Sequence, residues 1–130
     1  MILSFLLALL SISPDTTTVE ITFISQKEGG LINIALYDLK NDFMEEEVLS
    51  QSWPFKKDSL IVKITVPNKP FAITSFHDLD GNQQLNTNWM GIPIEPYGFS
   101  NNARGMMGPP DFEDCLINPT EIKKTIIYLK

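Results

Sequence analysis

The sequence predicts a mainly β protein, a single antiparallel β-sandwich of immunoglobulin-like or transthyretin-like type. Three observations carry that prediction. Short runs alternate apolar and polar residues with a period of two, Gly, Pro and Asn clusters punctuate them at hairpin-like spacing, and no strand-helix-strand rhythm recurs. The chain has 130 residues, enough for one domain, and its 43% hydrophobic and 20% charged residues are the composition of a folded globule.

Met1 to Ser13 is an apolar run closed by small polar residues, too short to cross a bilayer, which needs roughly 20 apolar residues as a helix. It reads as the core of a secretory signal, so residues 1–18 are expected to be a signal peptide and 19–130 the mature domain. No Lys or Arg precedes the run, and Pro14 disfavours cleavage directly after Ser13, which moves the expected cut to Thr16–Thr18. No cysteine follows to take a lipid. The expected product is an exported, periplasmic or secreted protein with no transmembrane helix after signal removal.

Val19 to Ser25 sets Val19, Ile21 and Phe23 against Glu20 and Thr22, and Leu31 to Tyr37 does the same with Ile32, Ile34 and Leu36. Gly29-Gly30 between them predicts a hairpin. From Asn41 the pattern turns helical: Asp42 with Glu45 forms a capping pair, Phe43, Met44, Val48 and Leu49 share one face, and Pro54 ends the helix. Leu60, Val62, Ile64 and Val66 mark a third strand, Pro67 to Pro70 a turn, and Phe71 to His77 a fourth strand. A short apolar step at Cys115 to Ile117 precedes a last strand over Ile122 to Leu129. The sum is about five or six strands and one short helix.

Asp78 to Asp114 breaks the rhythm. Gly91, Gly98, Gly105 and Gly108 stand there with Pro93, Pro96, Pro109 and Pro110. So long a stretch without regular structure implies either function or disorder. Trp89, Met90, Ile92, Ile94, Tyr97, Phe99, Met106, Met107 and Phe112 give it apolar mass, so an ordered loop packed by its own side chains is expected.

Within HDLDGNQQLNTN, Asp78, Asp80, Asn82, Gln84, Asn86 and Asn88 place oxygen-bearing side chains at every second residue. Hard cations such as Ca²⁺ take six to eight oxygens, and the first half of the run is like the start of an EF-hand loop. Gly81 stands earlier than such a loop wants its glycine, and Trp89 occupies the place of the closing acid, leaving Glu95 as the candidate further carboxylate. The residues equally fit an ion-free turn in which Asp78, Asp80 and Asn82 bond their own backbone and Gly81 is left-handed. The cofactor expectation is therefore Ca²⁺ or none.

Sixteen acidic residues against ten basic ones give a formal charge of −6, which excludes a phosphate-gripping nucleic-acid binder. One cysteine, Cys115, and one histidine, His77, exclude an internal disulfide and a two-histidine metal site.

The segment HDLDGNQQLNTNWMGIPIEPYGFSNNARGMMGPPDFEDC resembles the shared core of a bacterial group, domain of unknown function family 2141, with its His-Asp loop, its G-x-P-x-E-x-Y-G-F-S-N-N run and its G-P-P-x-F-E motif. The resemblance implies an exported small β-sandwich without an established activity. This sequence departs at Gln83, where members commonly carry a second glycine, and at Asn86, where many carry Asp.

Further anchoring or ligand-contacting candidates are His77, Trp89, Tyr97, Phe99 and Arg104. Arg104 is the one arginine, and its guanidinium is expected to fork onto a nearby carboxylate and fasten the loop, or to clamp an anion with Asn101 and Asn102. The three rings are expected to pin the loop to the sheet or to stack on a ligand. No residue is singled out as catalytic. The leading expectation is a non-enzymatic binding or structural protein, its partner an envelope protein or small ligand. The alternatives are a hydrolase using His77 and Asp78 with Ser100 or Cys115 as nucleophile, and transient membrane association through Met90, Met106 and Met107.

Overall fold

A computed structural model describes residues 15–130. Most of the expected signal peptide lies outside the described residues; of its span, Thr16, Thr17 and Thr18 open the first strand.

Among the described residues seven strands follow one another: β1 (Thr16–Ser25), β2 (Leu31–Tyr37), β3 (Leu49–Pro54), β4 (Asp58–Pro67), β5 (Ala72–Asp78), β6 (Tyr97–Phe99) and β7 (Lys124–Leu129). They form two sheets, ordered β4-β1-β7 and β3-β2-β5-β6, so the protein is mainly β with two layers. The alternation read from the sequence sets which side chains face inward. Val19, Ile21 and Phe23 of β1, Ile32, Ile34 and Leu36 of β2, Val62, Ile64 and Val66 of β4 and Ile127 and Leu129 of β7 form the core between the sheets.

The predicted hairpin is corrected. β1 pairs with β4 along its whole length, from Thr16 opposite Pro67 to Ser25 opposite Asp58, while β2 pairs with β3 and β5 in the other sheet. Gly29 and Gly30, both at positive φ, carry the chain across the sandwich instead of folding it back. The antiparallel expectation also needs one correction, because β7 runs parallel to β1, with Glu20 opposite Lys124 and Ser25 opposite Leu129.

The predicted helix after Asn41 does not form. Lys40–Asp42 makes a single 3₁₀ turn, Met44 reverses the chain at a φ of 66°, and Leu49–Pro54 is strand β3. The Val48 amide donates to the Leu36 carbonyl at 2.8 Å, so edge pairing with β2 overrides the local helical pattern. Among the described residues the helical segments are 3₁₀ turns alone.

The four-stranded sheet is covered on its outer face as well. Tyr37 and Ala72 point outward in phase with Asn33, Ala35, Thr74 and Phe76, and they pack with Phe99, Phe112 and Cys115 in a second, smaller core. Asn101 and Asn102, both left-handed, tie this covering in place. Asn101 donates to the Leu116 carbonyl at 2.8 Å, and Asn102 accepts from the Tyr128 amide at 2.9 Å while donating to the Ile126 carbonyl at 3.0 Å. Their amides thus serve the backbone and leave no anion clamp.

Candidate metal centre

Asp78 closes β5, opposite Leu31 of β2, and points to the outer face of its sheet. His77 precedes it in an extended chain and therefore points the other way, into the sandwich. The expected pairing of His77 with Asp78 is corrected by that alternation. The His77 ring is fully buried, with Nδ1 2.8 Å from Ser25 Oγ, Nε2 2.5 Å from the Gly29 carbonyl and Phe55 edge-on at 4.8 Å between ring centroids. Ser100 instead accepts from the Ile73 amide at 2.9 Å and donates to the Cys115 carbonyl, and Cys115 is buried, its thiol pushed up to about 11 by desolvation and then by Asp114 and Asp111. Neither expected nucleophile meets the imidazole.

Beyond Asp78 the chain makes a tight bend, with Gly81 and Gln83 at positive φ, and returns through residues 86–95. The bend brings one carboxylate oxygen from each of Asp78, Asp80 and Glu95 to within 4.8 Å of one another. Asp78 is fully buried, Glu95 is 5% exposed and Asp80 faces solvent. For the two buried acids, as anions at that separation, mutual repulsion is about 3 kcal/mol at an effective dielectric of roughly 20.

Amides partly offset the charge. Asp78 Oδ2 accepts from Asn33 Nδ2 at 3.0 Å and from the Gln83 amide at 2.7 Å. Glu95 accepts from the Leu79 amide at 2.7 Å and the Asn86 amide at 2.9 Å, which staples the two ends of the bend together. Asp80 accepts from Asn86 Nδ2 at 2.7 Å and the Asn82 amide at 3.2 Å. The Asn86 bond foremost holds the Asp80 carboxyl below its ordinary range; partial desolvation opposes it, and the Asn82 amide adds to it. One atom is left over: Asp78 Oδ1 is buried with no hydrogen-bond partner among the described residues. Such an orphan in a well-paired surrounding calls for an explanation.

The other residues of the run divide. Asn82 and Asn86 form a rim, Asn82 Nδ2 donating to Asn86 Oδ1 at 2.7 Å and Asn82 Oδ1 accepting from the Gln84 amide at 3.0 Å. Gln84 points to solvent. Asn88 caps the next turn, its Oδ1 accepting from the Met90 amide at 2.9 Å and the Ile92 amide at 3.0 Å. A ligand at every second residue is therefore not what the chain builds. Three carboxylates with amide buttresses converge instead, because Asn82 and Asn88 accept from nearby backbone amides and Asn86 is spent on the Asp80 and Asn82 side chains.

Tyr97 and Phe99 lie on β6 and pack edge-to-face at 6.1 Å, holding the loop to the sheet. Trp89, by contrast, is 91% exposed, and Met106 and Met107 are fully exposed. The expected packing of the loop by its own apolar residues is thus realised at Phe99 and Phe112 but not along Trp89 to Ile94, where turn hydrogen bonds supply the order. Arg104 takes neither expected role. Its guanidinium lies 4.6 Å over the Tyr97 ring and donates to the Tyr97 carbonyl at 3.0 Å.

Sequence reasoning missed Asn33 and Ser25. A polar residue in the outward phase of β2 was the available signal for the first, and a hydroxyl in the inward phase of β1 for the second.

Among the described residues no helix is long and apolar enough to cross a membrane. Comparison with curated proteins and with solved structures gave no match. A family model described as an uncharacterized protein conserved in bacteria matches residues 19–127, which spans both sheets and the three converging carboxylates. The chain belongs to domain of unknown function family 2141.

Proposed function

We propose that this is an exported, non-enzymatic β-sandwich protein whose 78–95 bend binds Ca²⁺ and, so stiffened, presents the 89–110 segment for binding. The observation that carries the reading is the convergence of one carboxylate oxygen each from Asp78, Asp80 and Glu95 within 4.8 Å, at an Asp78 whose buried Oδ1 has no hydrogen-bond partner among the described residues. A divalent cation supplies that oxygen with a partner and cancels the repulsion among the acids, and an all-oxygen donor set selects a hard ion. Asp78, Asp80 and Glu95 are its protein ligands, with water on the exposed Asp80 side completing the shell. Asn82 and Asn86 orient Asp80, while Gln84 and Asn88 take no part.

The strand layout supports an immunoglobulin-like assignment in detail: β1→β2 and β4→β5 both switch sheets, as the B→C and E→F connections do in that fold. The parallel β7 beside β1 is the departure. Export rests on the Met1 to Ser13 run.

Thermal melts in chelator, in millimolar Ca²⁺ and in millimolar Mg²⁺ test the ion. Saturation to ten times Kd stabilises the native state by about 1.4 kcal/mol, a rise of about 3–8 °C for a domain of this size. Asp78→Asn removes the response. Identical melts in chelator and Ca²⁺ end the reading.

A further inference from the structure

We infer that the outer face of the four-stranded sheet, beside the carboxylate cluster, is a binding groove for a neutral saccharide. The proposal builds on the reading of the 78–95 bend as a fixed, ion-holding element, because that bend supplies one wall of the groove.

Strand register creates the hollow. Ser52, Asn33 and Phe76 fall in one row across β3, β2 and β5, and Ser50, Ala35 and Thr74 fall in the next. Ala35 is the smallest side chain of the two rows, and its row holds only Ser50 and Thr74 besides. The resulting cavity is about 400 Å³, walled by Glu47 on one side and Gln83 on the other, within the roughly 300–1,000 Å³ of small-molecule sites.

The chemistry of the lining selects the ligand. Hydroxyls and amides from Ser50, Ser52, Asn33, Thr74 and Gln83 line the groove together with the Phe76 ring, and no Lys, Arg or His of the described residues lines it. Sugar hydroxyls donate and accept, so they pair with such groups in either sense, while the C–H face of a pyranose covers the ring. An anionic ligand meets no cation there and faces Glu47 and the acidic cluster, and an apolar peptide forfeits the polar wall.

One hydrogen-bond chain joins groove and cluster. Ser52 Oγ donates to Asn33 Oδ1 at 2.5 Å, and Asn33 Nδ2 donates to Asp78 Oδ2 at 3.0 Å. Asn33 is thereby fixed in orientation, and the Ser52 oxygen keeps its lone pairs for a sugar hydroxyl.

The test is an NMR titration of the purified, isotope-labelled protein with cellohexaose, maltohexaose and chitohexaose, each in millimolar Ca²⁺ and in chelator. At least one saccharide is expected to shift the Asn33 side-chain amide and the Phe76 ring. Ser52→Ala and the exposed Gln83→Ala are each expected to weaken binding about three- to tenfold at nearly unchanged melting temperature. Binding that is equal in chelator still supports the groove, whatever becomes of the ion. No shift with any of the three in either condition overturns it, as do shifts confined to Trp89, Met90 and Met107. A calcium-dependent melt without saccharide shifts retains the ion reading and rejects this one.

Discussion

Asn33, in the middle of β2, holds Asp78, at the end of β5, through a 3.0 Å bond from its side-chain amide to Oδ2. Both residues are buried, so the bond anchors the carboxylate cluster to the rigid sheet rather than to the loop. Asn33→Leu removes the donor and leaves Asp78 with only the Gln83 amide. The expected loss is about 1–3 kcal/mol in chemical denaturation, larger in chelator than in Ca²⁺, because a cation compensates a buried anion. An equal loss in both conditions separates the fold's need for Asn33 from the ion's.

Asp80 makes a signed prediction for pH. Its folded carboxyl titrates below the ordinary aspartate range, so its contribution to stability is present above the unfolded value and is lost as pH falls through the lower, folded one. Asp80→Asn is therefore expected to narrow the drop in melting temperature between pH 5 and pH 3 relative to the parent. Parallel melting curves across that range contradict the assignment.

Gly29 and Gly30 are neighbours with different obligations. Both sit at positive φ, but a Cβ on Gly30 collides with the Asp78 carbonyl oxygen, whereas one on Gly29 meets nothing within 4 Å. Gly29→Ala is expected to cost about 1–2 kcal/mol, the ordinary cost of a left-handed alanine. Gly30→Ala is expected to cost more than that, because the collision is with backbone and displaces Asp78 from the cluster. Equal melting temperatures for the two variants refute the distinction.

Cys115 is shielded. Burial and the acids at 114 and 111 raise its thiol to about 11, so at pH 8 the thiolate is scarce as well as inaccessible. Dithionitrobenzoate is expected to label it only after unfolding, at a rate that follows denaturant concentration. Stoichiometric labelling of the native protein within minutes rules out the packing described for the second core.

The legible part of the fold was the part where alternation reports burial. β1, β4 and β7 bury every second side chain, and their sequences say so; β5, covered on both faces, buries neighbours as well. β3 is an edge strand with mostly exposed side chains, so it carries no such signature, and the Glu45-Glu46-Glu47 run before it imitates a solvated helix face. β6 is three residues long, below what any period can mark. Strand partners were illegible for another reason: Gly29-Gly30 permits a reversal within one sheet or a crossing between two, and the choice rests on the ten-residue match of β1 with β4. At the site, the spacing of Asp78, Asp80 and Glu95 was visible because one bend holds all three. Asn33 reaches them from 45 positions away, a contact that only the finished sheet creates.

The parallel strand β7 beside β1 also bears on how the molecule assembles. The earliest strand of the described fold has one edge satisfied by β4 and the other only by the last strand. An emerging chain therefore cannot finish that layer until its final segment is free to swing back, and until then β1 shows a raw hydrogen-bonding edge to its surroundings. Closure of this layer is therefore a long-range event, the kind of pairing that is slow to form and leaves an exposed edge while it waits.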